Sequence, residues 1–258
     1  MSENVILLNL KKTAMKTTFS YARLLIIGIV ATVVLNSCNV YLNDSTVTPS
    51  GNVVEQEFKL NNFTRIEMGN AFAIKVRKGS PLAIYVRGDE TDINDLDVYV
   101  DRSGTLVARY KNVRNRRYKM DFDVTMPDLQ GVNLSGASNT TIDGFRGLSA
   151  IDISLSGASK TTFTGTSDRT QIDLSGASKL ILVGSGVKVI GSVSGASALS
   201  AYEYLIEDAD LDLSGASSAQ VAASKTLRVT ASGASSLLYV GSPDVRQSVS
   251  GGSTVKKR

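Results

Sequence analysis

The sequence predicts an all-β fold, a right-handed parallel β-helix or solenoid, built from coils of about 19 residues. Three observations lead to this prediction: a repeated tetrapeptide, an alternation of apolar and polar residues around it, and a composition rich in Val, Ile, Leu, Ser, Thr and Gly. The chain has 258 residues, enough for one large domain. The coil is expected to be right-handed because parallel crossovers almost always are.

The tetrapeptide Ser-Gly-Ala-Ser occurs six times, and a seventh copy reads Ser-Gly-Gly-Ser. Successive copies begin 21, 19, 19, 20, 18 and 18 residues apart, so each interval is predicted to be one coil stacked on the coil before it. Glycine at the second position suits a corner that needs a positive φ or a close approach between coils. The corner glycines are therefore predicted to form a ladder along one edge: Gly136, Gly157, Gly176, Gly195, Gly215 and Gly233.

The residues that flank each tetrapeptide alternate in polarity. The positions one and three residues before the first serine are mainly apolar, and the position between them is polar in every copy. Seven residues after the first serine the chain is apolar or aromatic again, at Ile142, Phe163, Leu182, Ala201, Val221 and Tyr239. Because side chains alternate across a strand, each coil is predicted to contain at least two short strands with their apolar faces inside.

The segment 53–127 lacks the tetrapeptide but shows strand-like alternation over 72–76, 82–86, 97–100 and 120–124. A solenoid needs an atypical terminal unit to cover its open edge. We therefore predict that 53–127 forms irregular N-terminal coils or a cap, and that 128–258 holds the regular repeats. No linker separates the two, so 53–258 is predicted to be a single β-solenoid domain.

The N-terminal residues 1–37 are predicted to be a signal peptide. Lys16 and Arg23 precede an apolar run over 24–35, which is too short for a bilayer, since a spanning helix needs about 20 residues. The sequence Leu-Asn-Ser-Cys that follows resembles the lipobox of bacterial lipoprotein precursors, so Cys38 is predicted to become the acylated mature N-terminus. Translation is expected to start at Met15. A plain secretory signal or an N-terminal anchor helix is the alternative.

A lipidated Cys38 implies a bacterial cell-envelope protein that is anchored in a membrane, which we expect to be the outer membrane, with 38–52 as a polar tether. The net charge of +4 comes mostly from the signal peptide, which holds four of the 28 basic residues and one of the 24 acidic ones. The mature chain keeps 24 basic and 23 acidic residues. Its net charge is therefore too small to attract nucleic acid, and we predict no nucleic-acid partner.

The sequence contains no histidine, and its only cysteine is assigned to the lipobox. This excludes histidine-dependent triads, cysteine nucleophiles and the usual zinc sites, so we expect no enzyme, no cofactor and no metal. A carboxylate-dependent polysaccharide-degrading enzyme is the remaining catalytic alternative, because Asp173 and Asp212 share an outward column. Two coils separate them, or roughly 9–10 Å, and solvated strand faces account for them better.

The densest basic cluster lies between 109 and 119 and is a candidate for binding anionic lipids or acidic glycans. The alternative is a hairpin tip that faces solvent. Its cations are Arg109, Lys111, Arg114, Arg116, Arg117 and Lys119.

The order of these features resembles a known family. Strand pairs, the segment Thr125–Leu129, the Ser-Gly-Ala-Ser coils and a closing Tyr239–Pro243 are similar to the auto-transporter adhesin head, or GIN, domain, over about 58–258. The resemblance implies a β-helical domain on secreted or lipid-anchored envelope proteins, and it supplies no catalytic residues. The expected function is therefore surface adhesion through binding of glycans, envelope proteins or host proteins. A structural envelope protein without a specific ligand is the alternative.

Overall fold

The computed structural model describes residues 48–112 and 118–258. These residues form one 16-stranded sheet and one short helix. In chain order the elements are β1 (Val53–Glu57), β2 (Arg65–Met68), β3 (Ala73–Lys78), β4 (Ala83–Asp89), α1 (Glu90–Asn94), β5 (Leu96–Val100), β6 (Thr105–Tyr110), β7 (Asp121–Met126), β8 (Gly131–Leu134), β9 (Asn139–Leu155), β10 (Lys160–Leu174), β11 (Lys179–Val193), β12 (Ala198–Leu213), β13 (Ser218–Ala231), β14 (Ser236–Val240), β15 (Asp244–Val249) and β16 (Thr254–Lys257).

The regular repeats form a parallel β-solenoid of about seven turns, which confirms the predicted fold class. Each strand from β9 to β13 pairs in parallel with the next, and equivalent positions of successive coils lie side by side: Ile153 pairs with Ile172, and Ile172 pairs with Gly191. The right-handed sense of the coil stays a prediction.

The strands of the repeats are longer than the sequence indicates. Instead of two short strands, each coil from β9 to β13 is one bent strand of 14 to 17 residues. The bends stay hydrogen-bonded because the coils above and below bend at the same place. The β9–β10 pairing, for example, continues through small register shifts near Gly165.

The corners between coils are built on the tetrapeptide. Each corner glycine has φ between 67° and 77°, which is the left-handed region. In the five inner corners the N–H of the following alanine donates to the carbonyl of the previous corner glycine, at 2.7–2.8 Å. A Cβ at these glycines would lie only 2.5–2.7 Å from that oxygen. Both the backbone conformation and the close approach therefore require glycine.

The interior of the solenoid holds the apolar columns that flank each corner, such as Leu155, Phe163 and Leu174, which are fully buried. The last serine of each of the six Ser-Gly-Ala-Ser copies also points inward and is 1% exposed. Two of these hydroxyls, on Ser178 and Ser197, contact each other at 3.2 Å. The tetrapeptide is therefore partly a core motif, because its last residue contributes to the interior of each coil.

The N-terminal part contains two more levels of the stack, in an order that differs from the sequence. β2 pairs in parallel with both β6 and β8, and β3 pairs in parallel with both β7 and β9. The level made of β6 and β7 therefore lies outside the level made of β2 and β3, although it comes later in the chain. Asn70, with φ of 61°, occupies the corner-glycine position of the inner level, and its carbonyl accepts the N–H of Ala137 at 2.6 Å.

Antiparallel strands cover the N-terminal end of this stack. β4 pairs with β7, β1 pairs with β4, and β5 pairs with β6, all antiparallel. Asp89 is the N-cap of α1, which connects β4 to β5, and its carboxylate accepts the N–H of Thr91 at 3.0 Å and the hydroxyl of Ser50 at 2.9 Å. Burial raises the pKa of Asp89, but hydrogen bonds from Ser50, Thr91 and Gly51 outweigh it and hold the pKa below its ordinary value.

Candidate binding surface

A depression of about 420 Å³ lies on the outer face of the sheet, near its N-terminal end. Strands β1, β4, β7, β3 and β9 line it with outward-facing side chains, and we call it the N-terminal depression. In β4, Ile84 and Val86 are buried, so the alternation of the strand turns Tyr85 and Arg87 outward. Tyr85 is 42% exposed, so part of its ring is open to solvent.

Strand register assembles the N-terminal depression from two rows that run across the sheet. Cross-strand partners on one face lie close enough for their side chains to interact. In the first row Ala73 stands between longer neighbours, so it forms the low point of the surface. The first row is Glu55, Arg87, Asp121, Ala73 and Asn139, and the second is Tyr85, Asp123, Lys75 and Thr141.

Only some of the charges in these rows are paired. Asp123 contacts the guanidinium of Arg77 at 2.6 Å, and Asp121 contacts the ammonium of Lys119 at 2.5 Å. Glu55, Lys75 and Arg87 form no salt bridge with any residue that the structure describes. The N-terminal depression therefore offers two cations and one carboxylate, beside the amide of Asn139 and the hydroxyl of Thr141.

The predicted anion-binding cluster is divided between separate places. Arg109 contacts Asp97 at 3.3 Å and lies over the ring of Tyr99 at 5.5 Å, and Lys111 donates to the carbonyl of Asn94 at 3.3 Å. Lys119 lines the N-terminal depression. The remaining members of the cluster lie outside the described residues: Arg114, Arg116 and Arg117. Anion binding by 109–119 stays a prediction.

Two other predictions concern Cys38 as the lipidation site and Asp173 with Asp212 as a carboxylate pair. Cys38 lies outside the described residues. Ser192 stands in register between Asp173 and Asp212 and donates to Asp173 at 2.7 Å, so the two carboxylates do not face each other across one coil. Within 48–112 and 118–258, no cluster of acidic residues has the arrangement of a metal site, and no helix is long and apolar enough to cross a membrane.

A second surface feature originates from an insertion in β12. The pairing with β13 moves from Ala201–Val221 directly to Leu205–Ala222, which leaves three extra residues in β12. One of them, Tyr204, is fully buried, and its hydroxyl reaches Ser167 at 3.1 Å and Thr170 at 3.2 Å, two coils away. Its ring passes over β11 at Gly186, where a Cβ would lie 2.9 Å from the ring.

The inward turn of Tyr204 forces the next residue outward. Leu205 is 65% exposed and lines an apolar ledge of about 460 Å³ together with Gly186, Ala222, Ala223 and Val240. The small side chains of β13 leave the ledge open. The sequence carries one trace of this feature: the coil that begins at Ser194 has 20 residues, whereas the coil that follows has 18. The N-terminal depression has no such trace, because its residues come from five separate strands.

Comparisons with known proteins agree with this architecture. A solved structure of a putative adhesin from Bacteroides fragilis superimposes with a TM-score of 0.73 at 18% identity, covering 82% of this chain and 100% of the other. A putative lipid binding protein from Parabacteroides distasonis gives 0.67 at 16% identity, covering 83% and 99%. A putative adhesin from the same species gives 0.66 at 16% identity, covering 83% and 100%.

At these identities the likeness shows the fold alone. No curated protein matches the sequence. The family model described as "Putative auto-transporter adhesin, head GIN domain" matches residues 62–243, well over half of the chain. The protein therefore belongs to the auto-transporter adhesin head GIN domain family.

Proposed function

We propose that the protein is a non-catalytic adhesin of the bacterial cell envelope, anchored by acyl chains on Cys38, that binds its partners on the outer face of the solenoid. The observation that carries the proposal is the N-terminal depression, where an exposed tyrosine stands among unpaired polar groups. Membership of an adhesin-like family supports the same function. Because the interior columns are packed with apolar side chains, the outer face is the surface that a ligand would contact.

The anchor is tested by replacing Cys38. We expect the wild-type protein to be recovered from the membrane fraction with acyl chains on Cys38, and Cys38→Ser to be released or retained as unprocessed precursor. Intact mass measures the acyl chains, and protease treatment of intact cells measures surface exposure. A soluble wild-type protein whose mature N-terminus lies elsewhere would contradict the lipid anchor.

Adhesion is tested on cells with and without the gene. Cells that display the protein should attach to immobilised glycans or matrix proteins better than deletion cells, and washing with purified protein should compete for the attachment. If attachment does not change and only envelope integrity is altered, the protein is a structural envelope component without a ligand.

A second candidate function is lipid binding, and the apolar ledge at Leu205 favours it. One structural neighbour is named a putative lipid binding protein, and an exposed apolar surface of this kind fits a fatty acyl chain. Titration with oleate tests the idea: binding should be lost in Leu205→Glu and kept in Tyr85→Ala. No binding of oleate by the wild-type protein would eliminate this candidate.

A further inference from the structure

We infer that the N-terminal depression is a binding site for a neutral saccharide, whose ring packs on Tyr85 and whose hydroxyls bond to the polar groups around it. The inference rests on the proposed adhesin function and specifies its ligand. The size fits, because binding sites for small molecules begin at about 300 Å³ and this depression holds about 420 Å³.

The ring of Tyr85 supplies the apolar part of such a site. Its flanking positions on β4 are buried, so the ring stands on a rigid sheet and not on a loop. A tyrosine ring presents a broad apolar face together with a polar hydroxyl. A sugar ring has the same mixed character, with C–H groups on its faces and hydroxyls at its rim, so it can bury its apolar face on Tyr85 without losing its hydrogen bonds.

The polar groups around Tyr85 match hydroxyls better than they match ions. Sugar hydroxyls donate and accept hydrogen bonds at once, so they need both kinds of partner. Arg87 and Lys75 donate, Glu55 accepts, and Asn139 does both. Glu55, Lys75 and Arg87 remain available to a ligand, because none of them forms a salt bridge with a described residue.

Other ligand classes fit less well. A phosphate or a polyanion needs donors alone, yet three carboxylates line the depression and offset its three cations: Glu55, Asp121 and Asp123 stand against Lys75, Arg87 and Lys119. An acyl chain needs an apolar surface, which this depression offers only at Tyr85 and at the low point formed by Ala73. The balance of charge therefore indicates a neutral, polyhydroxylated ligand.

The test uses the purified full-length protein on an array of hexose- and N-acetylhexosamine-terminated oligosaccharides, with heparin as the polyanion. We expect binding to one group of neutral oligosaccharides, followed by calorimetry with the strongest of them. Tyr85→Ala should weaken binding about tenfold and Tyr85→Phe much less, because the ring contact survives. Arg87→Gln should also weaken it about tenfold, through loss of a charged hydrogen bond.

Matched variants elsewhere control for nonspecific effects. Arg102→Gln removes an exposed arginine from the turn before β6, and Leu205→Ala removes an exposed large side chain from β12; neither should change the affinity. Filling the low point with Ala73→Arg should abolish binding while the thermal unfolding curve keeps its cooperative shape.

Three outcomes would overturn the inference: no binding to any neutral oligosaccharide at millimolar concentration, binding that survives both Tyr85→Ala and Ala73→Arg, or binding to heparin alone. These outcomes are separable from a failure of adhesion itself. Cells that carry Tyr85→Ala and still attach as wild-type cells do would refute the saccharide site and leave the adhesin function standing.

Discussion

Two glycine substitutions separate the two reasons why a corner of the solenoid needs glycine. Gly195 has φ of 68°, and a Cβ there would lie 2.5 Å from the carbonyl oxygen of Gly176. Gly147 has nearly the same φ, 67°, but no atom lies within 4 Å of the position that its Cβ would take. Alanine at Gly147 therefore introduces backbone strain alone, and alanine at Gly195 adds a collision with the neighbouring coil.

The magnitudes follow from these contacts. A left-handed conformation costs an L-residue roughly 1–2 kcal/mol, which is the loss that we expect for Gly147→Ala. At Gly195 the collision also pushes the corner away from the carbonyl that accepts the N–H of Ala196 at 2.7 Å. A weakened backbone hydrogen bond costs about 1 kcal/mol, and overpacking adds to it. We therefore expect Gly195→Ala to lower the free energy of unfolding by about 2–4 kcal/mol.

Urea unfolding of the two variants and the wild-type protein measures both losses, with Asp173→Asn as an exposed control that should change stability by less than about 0.5 kcal/mol. The decisive quantity is the difference between the two glycine variants. Equal losses in Gly147→Ala and Gly195→Ala would show that the close contact between stacked corners does not affect the free energy of unfolding. Negligible losses in both would refute the requirement for glycine at these corners.

Two further predictions concern the insertion in β12 and the N-terminal cap. Tyr204→Phe removes only the hydroxyl and should lower the free energy of unfolding by about 1 kcal/mol, because Ser167 and Thr170 still bond to each other at 2.7 Å. Tyr204→Ala also removes the buried ring and should cost about 3–5 kcal/mol. Equal losses in the two variants, measured by urea unfolding, would contradict this separation of ring and hydroxyl. The depressed pKa of Asp89 means that its ionised form stabilises the cap fully above the ordinary carboxyl pKa, about 3.9, and that this contribution disappears as the pH falls through the lower folded-state pKa. Between about pH 5 and pH 2, melting temperatures should therefore fall more steeply for the wild-type protein than for Asp89→Asn, and parallel profiles would refute the assignment.

The repeats were predictable because each coil carries the same local signals. The spacing of the tetrapeptides fixes the stacking, and the alternation around them fixes which side chains point inward. At the inner N-terminal level these signals are altered. Asn70 replaces the corner glycine, and Phe72 stands where the tetrapeptide has its last serine, so the corner escapes a search for the motif even though its backbone is equivalent.

The spatial order of the N-terminal levels could not be predicted for a different reason. Pairing of β2 with β6 and β8 joins segments that are distant in the sequence, and nothing local to any of these strands selects its partner. The N-terminal depression depends on that order, because β7 must lie between β4 and β3 to bring Tyr85 near Lys75. The part of the surface most suited to a ligand is thus the part for which the sequence carried the weakest signal.

The corner hydrogen bonds align peptide dipoles along one edge of the stack. The peptide unit of Gly136 and Ala137 donates its N–H to Asn70 and accepts the N–H of Ala158 at its carbonyl, and the same arrangement repeats up to Gly252. These peptide dipoles point the same way along the edge, as they do along an α-helix, with the positive end at the N-terminal cap. Lys256 and Lys257 lie in β16, in the coil at the opposite, negative end. Since hydrogen bonds in a chain polarise one another, a break at a central corner weakens the bonds on both sides of it, whereas a break at the last corner weakens only one.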